Sequence, residues 1–157
     1  MRPRTMQAMW VALAVFVALI TGPGAARGQV LVTAERDLDF GLLSPGAVTA
    51  VAATDLIGSA QLRIAGRGTF QVSFQLPASL TSPNGDEIPL VFGPADGMLT
   101  IRHKASSFDP SAVQSIRINP AEQEAQVNLG ARAQPGPAQP AGSYSATIVM
   151  MVVQTGT

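Results

Sequence analysis

From Thr69 to Leu76 the apolar residues Phe70, Val72, Phe74 and Leu76 alternate strictly with Thr69, Gln71, Ser73 and Gln75, which predicts a strand with one face in a core and the other in water. Just before it, Leu62 and Ile64 alternate with Gln61 and Arg63, and Gly66-Arg67-Gly68 separates the two runs with two residues able to take positive φ. That spacing predicts a hairpin. The same period returns in Leu99 and Ile101, in Ile116 and Ile118, and in Val127, Leu129 and Ala131, with Pro, Gly, Asn or Ser clusters between the runs. Short strands with frequent turns predict an all-β sandwich or barrel. Asn84-Gly85, between Leu80 and Ile88, is the dipeptide that type I′ turns prefer, although Pro83 and Pro89 disturb the flanking strands.

Two later segments depart from this pattern. Ala133 to Gly142 reads AQPGPAQPAG, a Pro/Gly/Ala stretch without residues to anchor a core, and so predicts a mobile surface loop. Ser143 to Val153 predicts the last strand, with Tyr144, Ala146, Ile148, Met150 and Val152 turned inward. Its other face carries Val149, Met151 and Val153. A strand apolar on both faces needs cover on both, or it becomes an aggregation hazard at an open edge. After residue 28 no stretch carries a 3.6-residue stripe, and no internal repeat is present.

The first 28 residues read differently, as a secretory signal. Arg2 and Arg4 give a positive start, Ala8 to Ile20 is an apolar run, and Ala26-Arg27-Gly28 offers the small residues that a signal peptidase reads. Thirteen helical residues cover only about 20 Å against about 30 Å of hydrocarbon, too short for a stable membrane span. The expected organisation is a cleaved signal over 1–28 and one β-sandwich domain over 29–157, exported to the periplasm, cell surface or extracellular space.

Charge and chemistry then narrow the function. Of the ten Lys/Arg, Arg2, Arg4 and Arg27 lie in the signal, leaving seven against ten Asp/Glu. Arg63, Arg67, Arg102, Lys104, Arg117 and Arg132 are scattered singly along the chain, which is not the basic stripe that nucleic acid needs. The chain has no cysteine, so a disulfide scaffold, a thiolate metal site and a Cys nucleophile are all excluded. His103 is the only histidine and continues the Leu99, Ile101 phase, as an ordinary strand-end residue would. Asp39-Phe40-Gly41 spells the kinase metal-binding triplet without a phosphate loop or catalytic loop, an accidental match. Asp37 with Asp39, and Asp86 with Glu87, are candidates for no more than weak calcium binding. No catalytic residue, cofactor or metal is expected. The absence of Trp after residue 28 disfavours sugar stacking.

Leu38-Asp39-Phe40-Gly41, the alternating Ala60 to Gly66, Phe70 to Leu76, and Gly142-Ser143-Tyr144-Ser145-Ala146-Thr147 leading into the last apolar strand together resemble an uncharacterised family of secreted bacterial β-sandwich domains, a domain of unknown function. Its pattern is similar to spore coat protein U domains and to fimbrial pilins. The resemblance implies an immunoglobulin-like, fimbrial-type antiparallel sandwich and a role in surface structure or adhesion. It also departs from pilins: there is no paired cysteine, and only Gln29 to Arg36 precedes the LDFG element.

In fimbrial sandwiches one strand position is empty and a partner strand fills it. On that resemblance, Tyr144, Ile148, Met150 and Val152 would line a strand-exchange groove, and Val30, Val32 and Ala34 would form a donor segment for a neighbour. The competing reading makes Val30 to Ala34 the first strand of its own sandwich. The expected function is a non-catalytic structural or adhesion subunit, assembled with itself or with a chaperone or usher by strand addition. The alternative is a self-contained adhesin or carbohydrate-binding module.

Overall fold

A computed structural model describes residues 9–15, 30–122 and 124–156. Among these residues there are fourteen strands, numbered here in chain order, and no helix. Among the described residues no helix is therefore long and apolar enough to cross a membrane.

The first sheet runs, edge to edge, Gln114–Ile118 (β11), Gly68–Gln75 (β6), Thr147–Gly156 (β14), Met9–Val15 (β1) and Leu38–Gly41 (β3). The second runs Lys104–Phe108 (β10), Gly97–Ile101 (β9), Glu124–Leu129 (β12), Ala60–Ala65 (β5) and Leu31–Arg36 (β2). Alternation along each strand sends one set of side chains into a single shared core. Phe70 and Val72 of β6 and Ile148, Met150 and Val152 of β14 lie in it with Leu62 and Ile64 of β5 and Val127 and Leu129 of β12. A smaller third sheet of Thr49–Val51 (β4), Ala131–Ala133 (β13), Glu87–Val91 (β8) and Ser79–Thr81 (β7) extends that core through Val51, Leu80, Ile88 and Ala133. The architecture is an all-β sandwich, antiparallel in every pairing except that of β1 with β14.

Three local expectations are corrected. β5 and β6 do not form a hairpin: β5 pairs with β12 and β2, and β6 pairs with β11 and β14. Gly66 and Gly68, at φ of 153° and 121°, instead turn the chain from one sheet to the other. The sequence signal is the same in both cases, because glycine supplies the bend whether the second strand returns beside the first or opposite it.

The Asn84-Gly85 hairpin forms between β7 and β8, but not through a type I′ turn. Pro83 fixes φ near −65° at the first corner, Asn84 keeps negative φ, and only Gly85 is left-handed, at 89°. The turn closes with the Gly85 N–H donating to the Ser82 carbonyl at 3.0 Å, the geometry of a type I turn followed by a left-handed residue.

The Pro/Gly/Ala stretch is tethered rather than loose. Pro135 is buried, and the Gly46 N–H is shared between the carbonyls of Pro135 and Gly136 at 3.1 and 3.0 Å. The Gln134 N–H donates to the Pro89 carbonyl at 3.0 Å.

The two-residue turn with both residues at positive φ lies elsewhere. β9 and β10 pair from Ile101↔Lys104 outward, leaving Arg102 and His103 as the connection at φ of 47° and 67°. Residues with a Cβ pay about 1–2 kcal/mol each for that conformation, and Asn-Gly is the usual solution. Replacing the pair, R102N/H103G, is expected to stabilise the fold by about 1–2 kcal/mol, read as a rise in the urea midpoint at unchanged slope. At the break between β12 and β13, a Cβ on Gly130 would run into the Val51 carbonyl and stand 2.7 Å from the Ala53 nitrogen. Gly130→Ala is expected to cost about 2–3 kcal/mol by the same measurement.

Candidate functional site: the strand position between β3 and β14

β14 is an interior strand of the first sheet. One edge pairs with β6 from Val149↔Gln75 to Gly156↔Thr69. The other pairs in parallel with β1, in the register Ala12↔Thr147, Leu13↔Ile148, Ala14↔Val149 and Val15↔Met150. The first half of β1 then bonds β3, with Trp10 opposite Asp39 and Val11 opposite Leu38. Among the described residues β1 is the only strand that pairs with β3. The alternate positions Val11, Leu13 and Val15 therefore stand in register with the buried Leu38, Ile148 and Met150.

β1 stands between β14 and β3 in the sheet, each about 4.8 Å away, β3 alongside its residues 9–11 and β14 alongside its residues 12–15. Backbone N–H and C=O groups of β3 and β14 pair with β1 there, beside the buried Leu38, Ile148 and Met150.

Both walls are fixed from outside the gap. The start of β14 is anchored by Ser145, whose N–H and carbonyl exchange bonds with Thr81 at 3.0 and 2.9 Å. The Tyr144 ring is buried beside it, its hydroxyl donating to the Pro140 carbonyl at 2.7 Å and accepting from Gln139 Nε2 at 2.9 Å. β3 is held by its buried Leu38 and Phe40 and by the loop before β5, through the Asp39 N–H donating to the Gly58 carbonyl at 2.8 Å. Gly58 is required there, since a Cβ would stand 2.9 Å from the Asp39 carbonyl oxygen.

That loop is itself pinned. Arg36 donates to the carbonyls of Ser59, at 2.7 Å, and of Leu56. Asp55 Oδ1 accepts the N–H groups of Ile57 and Gly58 at 2.8 and 3.0 Å. The Gly58 and Ile57 N–H groups, with the Arg36 charge adding to them, hold the Asp55 carboxyl below its ordinary value.

The sequence-predicted residues fall unequally on this site. Ile148 and Met150 flank the strand position. Val152 lies further along β14, opposite Val72 of β6, and Tyr144 precedes the strand as an anchor rather than lining the gap. Val32 and Ala34 stand in β2 at the edge of the second sheet, opposite Ile64 and Leu62, with Val30 just before them. Leu38 and Phe40, on the far wall, were singled out only as part of the LDFG element. In the sequence Met9–Val15 reads as part of the export signal, because an uninterrupted apolar run cannot be divided by periodicity between a helix and a buried strand.

His103 is a turn residue, not the continuation of a strand face. The acidic candidates are engaged locally: Asp39 Oδ1 accepts the Gly41 N–H at 2.8 Å, and Asp86 Oδ2 accepts the Ser82 hydroxyl at 3.2 Å. Among the described residues no three His, Asp or Glu converge as a metal site.

Because the Asp55 value is lowered on folding, the stability its ionised form adds is present in full above the ordinary carboxylate range. It is lost as pH falls through the lowered value. The difference in urea midpoint between the chain and Asp55→Ala is therefore expected to be constant from neutral pH down to about pH 4 and to shrink below it.

No curated protein matches the chain. A family model does, the domain of unknown function DUF4402, over residues 16–153. It spans nearly all of the sandwich, both walls of the strand position included, and the chain belongs to the DUF4402 family.

Proposed function

We propose that this protein is an exported, non-catalytic structural or adhesion subunit that assembles by accepting a strand from a partner between β3 and β14. The single observation that carries this reading is the origin of the strand in that position. It comes from Met9–Val15, inside the segment whose charge and apolar pattern match an export signal. If that segment is removed on export, β3 loses its strand partner and four consecutive residues of β14, Thr147 to Met150, lose the pairing on one edge. Unsatisfied backbone groups at a sheet interior cost about 1–3 kcal/mol each, so the cleaved domain has a strong drive to capture a replacement.

The register defines the replacement. It is an extended segment with large apolar residues at three alternate positions, matching those aligned with Leu38, Ile148 and Met150, and no proline between them. Such a segment in a second subunit or in a chaperone gives fimbrial-type assembly. Val30, Val32 and Ala34 remain a candidate donor, by leaving β5 at the sheet edge.

The test is a chain of residues 29–157, alone and with a synthetic peptide copying Met9–Val15 behind a lysine tail. The chain alone is expected to associate or to melt early. The peptide at a hundredfold excess over its dissociation constant is expected to raise the melting temperature by about 10 °C, and the same peptide carrying L13D is expected to have no effect. A monomer with a sharp melt that the peptide leaves unmoved would mean a complete sandwich and a self-contained binding module.

A further inference from the structure

The strand-accepting position does not account for the opposite side of the sandwich. There β11, the far edge of the first sheet, and the β9–β10 hairpin, the far edge of the second, border an open hollow of about 540 Å³. Three cationic side chains line it, two from one hairpin and one from another strand: Arg102 at the hairpin tip, Lys104 in β10 and Arg117 in β11. All three are exposed. Among the described residues the ion pairs are those of Arg63 with Glu35 and Glu124, so none of these three is in direct contact with a carboxylate. Glu122 also borders the hollow, its carboxylate accepting the Asn119 backbone N–H at 3.0 Å, and offsets one of the three charges.

Seven Lys/Arg follow residue 28 in a stretch with ten Asp/Glu. Gathering three of the seven here makes a local positive field on an acidic domain. The hairpin adds an independent sign. Arg102 and His103 hold the strained left-handed pair where Asn-Gly would be relaxed, and Arg102 is steadied by donating to the Ala121 carbonyl at 3.2 Å. Strain retained at a solvent-exposed tip points to a use for the side chains it presents.

We propose that this hollow binds an acidic saccharide, one or two sugar rings bearing carboxylate or sulfate groups. The space exceeds what a bare inorganic anion fills and falls in the range of small-molecule sites. Its floor is apolar: Leu99 and Ile101 stand opposite Ser106 and Lys104 across the β9–β10 pair, on the same face. A sugar ring laid on that floor presents its C–H face to Leu99 and Ile101, its hydroxyls to Ser106 and Asn119, and its acid groups to the surrounding cations. Nucleic acid fits less well, because three cations beside Glu122 are not the continuous basic stripe that a run of phosphates needs.

The site is separated from the strand position by β6 and β14 and stands or falls independently of the assembly reading. The test is titration calorimetry on the full 157-residue chain with a tetragalacturonate, a sulfated heparin tetrasaccharide, neutral maltotetraose, inorganic sulfate and a short single-stranded oligonucleotide. At least one acidic tetrasaccharide is expected to bind, more weakly as salt is raised, and maltotetraose is not. Lys104→Gln and Arg117→Gln are each expected to weaken binding about tenfold at unchanged melting temperature. R102N/H103G is expected to weaken it similarly while raising the melting temperature, a split that a purely structural hairpin would not produce.

The proposal is overturned if neither acidic sugar binds, if maltotetraose binds as well, or if the variants keep full affinity. It is equally overturned if inorganic sulfate binds as tightly as the sugars, which would mean a free-anion site, or if the oligonucleotide binds more tightly than either.

Discussion

The first sheet depends on β14 being paired along both edges. A strand in a sheet interior must satisfy N–H and C=O groups on two sides, and β14 does so with β6 on one side and β1 on the other. Its inward residues Ile148, Met150 and Val152 belong to the shared core, and its outward Val149, Met151 and Val153 are half-buried. The strand is therefore too apolar to be left as an edge. Tyr144 and Ser145 set where it begins, and the β6 register sets how it lies. The remaining variable is which segment completes its second edge.

That condition explains the position of β3. The LDFG strand is attached to the first sheet through β1 alone among the described strands, yet Leu38 and Phe40 are buried and the Arg36–Asp55–Gly58 loop holds its backbone from the other side. The wall is thus held by its side chains and by a pinned loop as well as by β1. Binding at such a site loses little to ordering of the receptor, the advantage of a preorganised groove.

The two features proposed as functional occupy opposite edges of one sheet, with the strand position beside β3 and the cationic hollow beside β11. A strand added at the first covers no residue of the second. The DUF4402 sandwich can on this reading join a partner through backbone hydrogen bonds and still present charged side chains to an acidic ligand.

Period-two alternation in Thr69 to Leu76 and in the shorter runs around Leu62, Leu99 and Ile116 determined by itself that the protein is all-β, a sandwich or a barrel, because a strand half in water must alternate and each of these does. The inward face of the last strand was legible for the same reason. What the sequence left open were relations between segments distant along the chain. Glycines at 66 and 68 bend the chain whether the next strand returns beside β5 or crosses to the other sheet, and only the competing partners β12, β11 and β14 decide between them. Arg102 and Lys104 share one hairpin, and Arg117 joins them from β11 only because two sheet edges meet. The apolar run at Met9–Val15 suits a signal helix and a buried strand equally, and its strand form arises only where β3 takes one half of it and β14 the other, on opposite edges.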